Sequence, residues 1–251
     1  MSYDPVVIDP SRAYAVTARI AGPAGRDLWI NALPYPVITK GAPTALDIEL
    51  ERVGDPSRED GGQSLEQAGT FVFECDEFEF VVRTGPSEAA FFLSNRFEML
   101  DRVPSGSGPR YESETVVFWN KGDEAYVELD GKVYRDCFRN REREPWEDAK
   151  LRGADFRAFG FEPGWTLEIF GSDRMVLVTD HGATRIEVPA PAPVEDAAAD
   201  RTVYSARTEA HVLTVLLERG PCFAPSGRSL ESKVTVELDG HRLTGCGMAL
   251  H

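Results

Sequence analysis

Histidine and cysteine are both scarce in this sequence, with four of each in 251 residues. The histidines (His181, His211, His241 and His251) are scattered over the last third of the chain. None stands in a recognisable catalytic setting, and no HExxH, Walker A or GxGxxG pattern occurs. Carboxylate pairs are plentiful, but a chain this acidic produces them by chance. No nucleophile or acid–base set can be assembled, so the chain reads as a non-enzyme with no cofactor and no metal. Long apolar runs are also missing. No window reaches the roughly 18 apolar residues of a membrane span. The start, MSYDPVVIDP, has neither the basic residues nor the apolar stretch of a signal peptide. Positive charge is in deficit, and the net charge is −15. Such a field repels nucleic acid and anionic membranes, speeds encounter with cationic partners, and also serves solubility.

No CxxC occurs among the cysteines. Cys75 and Cys137 bracket one segment, and Cys222 and Cys246 bracket another. This suggests two intradomain disulfides and an oxidising compartment. Four buried free thiols are the alternative. Cysteines that suggest export sit behind a start that does not. The two are reconciled if the front of the natural protein, with its signal sequence and an outer-membrane lipid anchor, is missing from this chain.

Three segments emerge from the patterning, and all point to an all-β protein. Residues 1–53 carry strand-like runs at AYAVTARI (13–20) and LDIELERV (46–53). Residues 54–67 form a polar linker. Residues 68–138 are dense in short alternating runs, among them TFVFEC, FEFVVR, ETVVFWN and EAYVELD, spaced as in a sandwich or barrel. Residues 139–153 read as a charged linker or short helix. Residues 154–251 form a second β-rich unit. Within it HVLTVLLE fits a helix as well as a strand, and PAPAPVEDAAAD (189–200) reads as an exposed loop. Segment 68–138 holds 14 acidic and 7 basic residues, net −7, and segment 154–251 holds 14 and 9, net −5.

The middle segment contains SGSGPRYESETVVFWNKG at 105–122. Taken by themselves, Ser107 is a turn residue and Lys121 a solvated charge. Taken together, the motifs Ser107-Gly108-Pro109-Arg110-Tyr111 and Phe118-Trp119-Asn120-Lys121-Gly122-Asp123-Glu124-Ala125, framed by Phe73-Glu74-Cys75 and Tyr134-Arg135-Asp136-Cys137, resemble the MliC/PliC family of bacterial inhibitors of C-type (chicken-type) lysozyme. The resemblance implies a small antiparallel β-barrel closed by a Cys75–Cys137 disulfide. It also implies that Ser107 and Lys121 enter the lysozyme cleft and meet its two catalytic carboxyl groups. Gly108 and Gly122 would permit close approach, Arg110 would sit on the rim, and Tyr111 would pack behind the loop. Pro109 stands where small residues are usual in the family, which bears on whether Ser107 is correctly presented.

The flanks carry weaker resemblances. Residues 3–53 resemble the C-terminal half of a YbaY-like lipoprotein family, a partial β-sandwich. Residues 154–251, with FRAFGFEPGWTLEI and a Cys222–Cys246 pair, resemble an uncharacterised bacterial envelope domain. Glu162-Pro163-Gly164-Trp165 reads there as a structural turn with a packed indole. The whole implies an envelope protein that inhibits lysozyme. The second reading is a structural or ligand-binding envelope module that binds peptidoglycan fragments or another envelope protein.

Overall fold

Strand–turn alternation in residues 69–139 closes into a barrel. The structure, a computed structural model, describes residues 69–251 apart from 95 and 225–226, together with short pieces of residues 8–52. The polar stretch 54–67 and much of 1–53 lie outside the described residues. In the first 52 residues, β1 (Tyr14–Val16) pairs with β4 (Tyr35–Val37), and β3 (Asp27–Ile30) pairs with both β2 (Arg19–Ala21) and β5 (Glu51–Arg52). The chain divides into two compact units, residues 1–148 and 149–251.

The barrel strands are β6 (Gly69–Glu74), β7 (Glu79–Thr84), β8 (Glu88–Leu93), β9 (Arg96–Val103), β10 (Arg110–Glu112), β11 (Val116–Asn120), β12 (Glu124–Leu129) and β13 (Lys132–Arg139). Each pairs antiparallel with its sequence neighbour, and β13 pairs with β6 to close the ring. Alternation is the cause. Val116, Phe118 and Asn120 are buried, while Val117 and Trp119 between them face outward. Eight strands enclose just enough space for side chains to fill. Here the filling is aromatic: Phe73, Phe80, Phe91, Tyr111 and Phe118 are all buried. The Phe80 and Phe91 rings lie 4.7 Å apart. Each such ring contributes about 1.5–3 kcal/mol by burial.

The closing seam is short. Only Phe138↔Glu74 and Arg139↔Phe73 pair across it. The Cys75–Cys137 disulfide staples this seam, joining residues 62 apart. A loop of that length stabilises by about 4 kcal/mol in the chain-entropy model. Asn140 N–H donates to the Val72 carbonyl at 2.8 Å, and Asn140 Nδ2 donates to Glu74 at 2.7 Å. Helix α1 (Glu144–Leu151) follows. Pro145 and the acidic Glu144 and Glu147 suit its first turn, Lys150 suits its last, and Gly153 at φ 85° lies just beyond its end. Thr70 Oγ1 donates to Asp148 at 2.8 Å.

In the second unit, nine strands run β14 (Phe156–Phe161), β15 (Gly164–Phe170), β16 (Arg174–Thr179), β17 (Thr184–Pro189), β18 (Val194–Asp196), β19 (Arg201–Arg207), β20 (Val212–Phe223), β21 (Ser229–Leu238) and β22 (His241–Ala249) among the described residues. They form one antiparallel sheet, ordered β17-β16-β15-β14-β22-β21-β20-β19-β18. The sheet curls until Val188 of β17 and Ala206 of β19 share one core. The run HVLTVLLE is strand from Val212 onward. Leu213 and Val215 alternate inward, and both its neighbours, β19 and β21, pair with it along its length. Within 189–200, residues Val194–Asp196 form a short, fully exposed edge strand rather than loop throughout. Trp165 is buried, and Gly160 is what admits its indole: a Cβ there would lie 2.2 Å from Trp165 Nε1. A second disulfide, Cys222–Cys246, crosses from β20 to β22.

One barrel carboxylate carries a pH dependence. Burial pushes the Glu98 carboxyl up, but hydrogen bonds from Ser113, Thr115 and Arg96 outweigh it and leave the group below its ordinary value of 4.5. Ser113 Oγ and Thr115 Oγ1 each donate to it at 2.6 Å. A depressed carboxyl stabilises fully above its unfolded value and loses that contribution as pH falls through the folded value. Glu98→Gln is expected to cost about 2 kcal/mol at pH 7. The deficit against wild type should begin to shrink as pH falls below the ordinary carboxyl range and close only where the native group, held lower still, is itself protonated. Denaturant melts at pH 7 and through the acid range check this.

Candidate functional site

Two loops emerge side by side at one end of the barrel. The first, residues 104–109, joins β9 to β10. The second, residues 121–123, joins β11 to β12. Their proximity follows from register. Arg110 faces Val103 on one side and Trp119 on the other, so the chain leaving β9 and the chain leaving β11 turn at the same level. Ser107, Gly108 and Pro109 from one loop, Asn120, Lys121 and Gly122 at the other, and Phe71 of β6 line one open hollow of about 420 Å³.

In the first loop Ser107 is exposed. Its backbone is held while its hydroxyl makes no hydrogen bond among the described residues. Ser105 Oγ donates to the Ser107 carbonyl at 3.1 Å, and Trp119 Nε1 donates to the same oxygen at 2.5 Å. Pro109 takes part in the hold, because its carbonyl accepts the Asn120 N–H at 3.0 Å. Gly108 adopts φ 65°, and a Cβ there would lie 2.3 Å from the Asn120 carbonyl oxygen. Tyr111 is buried in the barrel core. Its hydroxyl donates to the Gly85 carbonyl at 3.1 Å and its ring stacks on Phe118. It anchors the loop from beneath and offers no surface. Arg110 is half-buried, paired with Glu112, and its guanidinium lies 5.8 Å from the centre of the Trp119 ring.

In the second loop Lys121 is exposed, and its backbone N–H donates to the Glu124 carbonyl at 2.9 Å. Among the described residues its ammonium meets no carboxylate and instead lies 4.2 Å from the Trp119 ring centre. Gly122 adopts φ 91°, and its N–H donates to Asn120 Oδ1 at 2.8 Å. Asp123 ties the turn to the seam: its carbonyl accepts the Arg139 N–H at 2.9 Å, and its carboxylate pairs with Arg141 at 2.5 Å.

The arrangement presents a free hydroxyl and an uncompensated cation on one hollow. Together these suit contact with carboxyl groups. Residues the sequence reading did not assign to the site are Trp119, Asn120 and Phe71. Trp119 stands at an outward position of an alternating run, next to the lysine, which is a visible signal. Asn120 faces inward, and Phe71 comes from a strand some fifty residues away in sequence. The histidines lie outside the barrel. His211 Nδ1 bonds Asp239 at 2.8 Å in the second unit. This contact, with the Val212 N–H, holds the Asp239 carboxyl below its ordinary range.

Gly108→Ala should therefore be costly. It places a side chain in the left-handed region and against a backbone carbonyl that cannot yield cheaply. A loss of at least about 2 kcal/mol is expected. Gly106→Ala, where a Cβ meets nothing within 4 Å, should be near neutral. Equilibrium denaturation of both variants measures the difference.

The family model described as membrane-bound lysozyme-inhibitor of c-type lysozyme (MliC) matches residues 73–136. That span contains both loops. The model described as type III secretion system lipoprotein chaperone (YscW) matches residues 1–50, the segment whose YbaY-like resemblance is described above. A relative, the membrane-bound lysozyme inhibitor of C-type lysozyme of Escherichia coli (strain K12), is 36% identical over 74 residues, covering 28% of this chain and 68% of that protein. No solved structure matches the chain. Through its eight-stranded barrel, the chain belongs to the MliC family of lysozyme inhibitors.

Proposed function

We propose that residues 68–138 act as a proteinaceous inhibitor of C-type lysozyme in the bacterial cell envelope, in the periplasm or anchored to the outer membrane, and that Ser107 and Lys121 enter the enzyme's active-site cleft. Residues 1–53 and 154–251 are flanking modules in this reading. The observation that carries it is the convergence of an unbonded serine hydroxyl and an unpaired ammonium on one open hollow, in a chain of the MliC family.

The chemistry follows from what a retaining glycosidase needs: one carboxyl protonated as acid and the other ionised as nucleophile. An ammonium beside them favours ionisation of both and disables the acid. A serine hydroxyl donates to a carboxylate or accepts from a carboxylic acid. The two loops meanwhile occupy the space of the scissile sugar. Long-range charge assists, since a chain at −15 is steered toward a basic enzyme.

A second reading, a ligand-binding envelope module, is favoured by one feature of unit 149–251. A hollow of about 680 Å³ there is lined by the exposed Phe161 and Phe223, the disulfide, Lys233, Thr235 and Thr244. Its mixed character suits an amphipathic ligand such as a cell-wall glycan fragment. Retention of cell-wall fragments that survives loss of Lys121 would favour this reading.

The deciding experiment is inhibition of cell-wall lysis by a C-type lysozyme. Lys121→Ala is expected to weaken inhibition by about two to three orders of magnitude, as for truncation of a desolvated charge contact. Ser107→Ala should weaken it about ten- to a hundredfold. Association should slow as salt rises, with dissociation little changed. Wild-type protein that leaves lysis untouched at micromolar concentration, with both disulfides formed, would overturn the proposal.

A further inference from the structure

Two consecutive residues of β11 each grip both loops. Trp119 donates its indole N–H to the Ser107 carbonyl at 2.5 Å and lays its ring 4.2 Å from the Lys121 ammonium. Asn120 donates its backbone N–H to the Pro109 carbonyl at 3.0 Å and accepts the Gly122 N–H on Oδ1 at 2.8 Å. Its own carbonyl oxygen occupies the space that keeps residue 108 a glycine. The two grips come from opposite faces of the strand. Asn120 is buried and works from within the barrel, whereas Trp119 lies on the outer wall between Arg110 and Tyr126 of the neighbouring strands. A tryptophan N–H on an outer wall can be left to water, since it is burial that demands a partner. Here it instead meets the backbone of the residue whose hydroxyl is presented.

Each contact is local, but together they fix one distance. The first loop carries the hydroxyl and the second carries the cation, and no hydrogen bond between Ser107 and Lys121 themselves joins the two. What couples them is the Trp119–Asn120 pair. Ordering a loop on binding lowers affinity, and a loop already held in its bound shape avoids that cost. An exposed glycine-containing loop such as 104–109 would otherwise incur it.

We propose that Trp119–Asn120 is a clamp that sets the Ser107 loop and the Lys121 loop in fixed relation before lysozyme arrives. Trp119 is thus a positioning residue for the site, acting through Ser107 by its N–H and through Lys121 by its ring. The inference rests on the reading of that site given above. It assigns to Trp119 a role separable from packing, because phenylalanine keeps a ring face for Lys121 and removes only the donor to Ser107.

The test uses the full chain in two arms. In the first, binding of a purified C-type lysozyme is measured by calorimetry for Trp119→Phe alone and combined with Ser107→Ala or Lys121→Ala. Trp119→Phe is expected to weaken binding about three- to tenfold, the effect of one lost hydrogen bond. In the Ser107→Ala background its effect should fall within about twofold, while in the Lys121→Ala background it should persist. Trp119→Leu, which removes the ring as well, should lose the remaining dependence on Lys121. Equal effects of Trp119→Phe in all three backgrounds, or no effect, would overturn the clamp. The second arm needs no lysozyme. Backbone ¹⁵N order parameters of residues 105–108 in the free protein should fall from the rigid range, about 0.85, toward about 0.6 in Trp119→Phe, with the barrel strands unchanged. Should wild type bind no lysozyme, this arm decides alone. A selective loss of order upholds the clamp and removes only the functional reading, and unchanged order parameters refute the clamp.

Discussion

The barrel closes across a seam of only two residue pairs, and that seam also supports the site. Arg139 is the shared residue. Its backbone pairs with Phe73 to complete the ring, and its N–H donates to the Asp123 carbonyl in the Lys121 loop at 2.9 Å. Its guanidinium lies 4.6 Å from the Phe71 ring centre and pairs with Glu144 at 2.5 Å. Phe71 in turn lines the hollow between the two loops. The Cys75–Cys137 disulfide therefore does more than restrict the unfolded chain. By holding β13 against β6 it holds the platform on which the Lys121 loop is tied down. Closing the barrel and shaping the end that bears Ser107 and Lys121 rest on the same few contacts.

Charge acts at two ranges. Over the whole chain acidic residues prevail, 42 against 27 basic. At the hollow the sign is reversed locally by Lys121, whose ammonium faces an indole rather than a carboxylate. An ion pair within the protein would have to be broken before the cation could meet a partner's carboxyl group. A cation over an aromatic face is held in place without being neutralised, so its charge stays available. Nearby arginines are treated differently: Arg110 pairs with Glu112, Arg141 with Asp123, and Arg143 with Glu79.

Much of this could be read from the chain alone, for a physical reason. Alternation such as Val116–Asn120 reports which residues face inward, because side chains on a strand have a period of two. Cysteine bracketing pointed to two disulfides, whereas the barrel and the choice of Ser107 and Lys121 came from the family resemblance that the two motifs carry. What stayed out of reach depends on strand register, which is not local in sequence. Nothing in ETVVFWN says that the indole N–H meets the carbonyl of a residue twelve positions earlier. Nothing in TFVFEC says that Phe71 borders the same hollow. HVLTVLLE could not be resolved for the same reason, since its identity as a strand comes from β19 and β21 on either side. Tyr111 was visible as a motif residue, but its place within the aromatic core, stacked on Phe118, became evident only with the barrel assembled.

The proposal that the end of the barrel bearing Ser107 and Lys121 occupies the catalytic cleft of a C-type lysozyme is best tested by a crystal structure of the complex. The Ser107 hydroxyl and the Lys121 ammonium should then lie within hydrogen-bonding distance of the enzyme's two catalytic carboxyl groups, with both loops in the conformation seen in the free protein. A complex in which another face of the barrel, or residues 149–251, contacts the enzyme while the cleft stays open to substrate would contradict it.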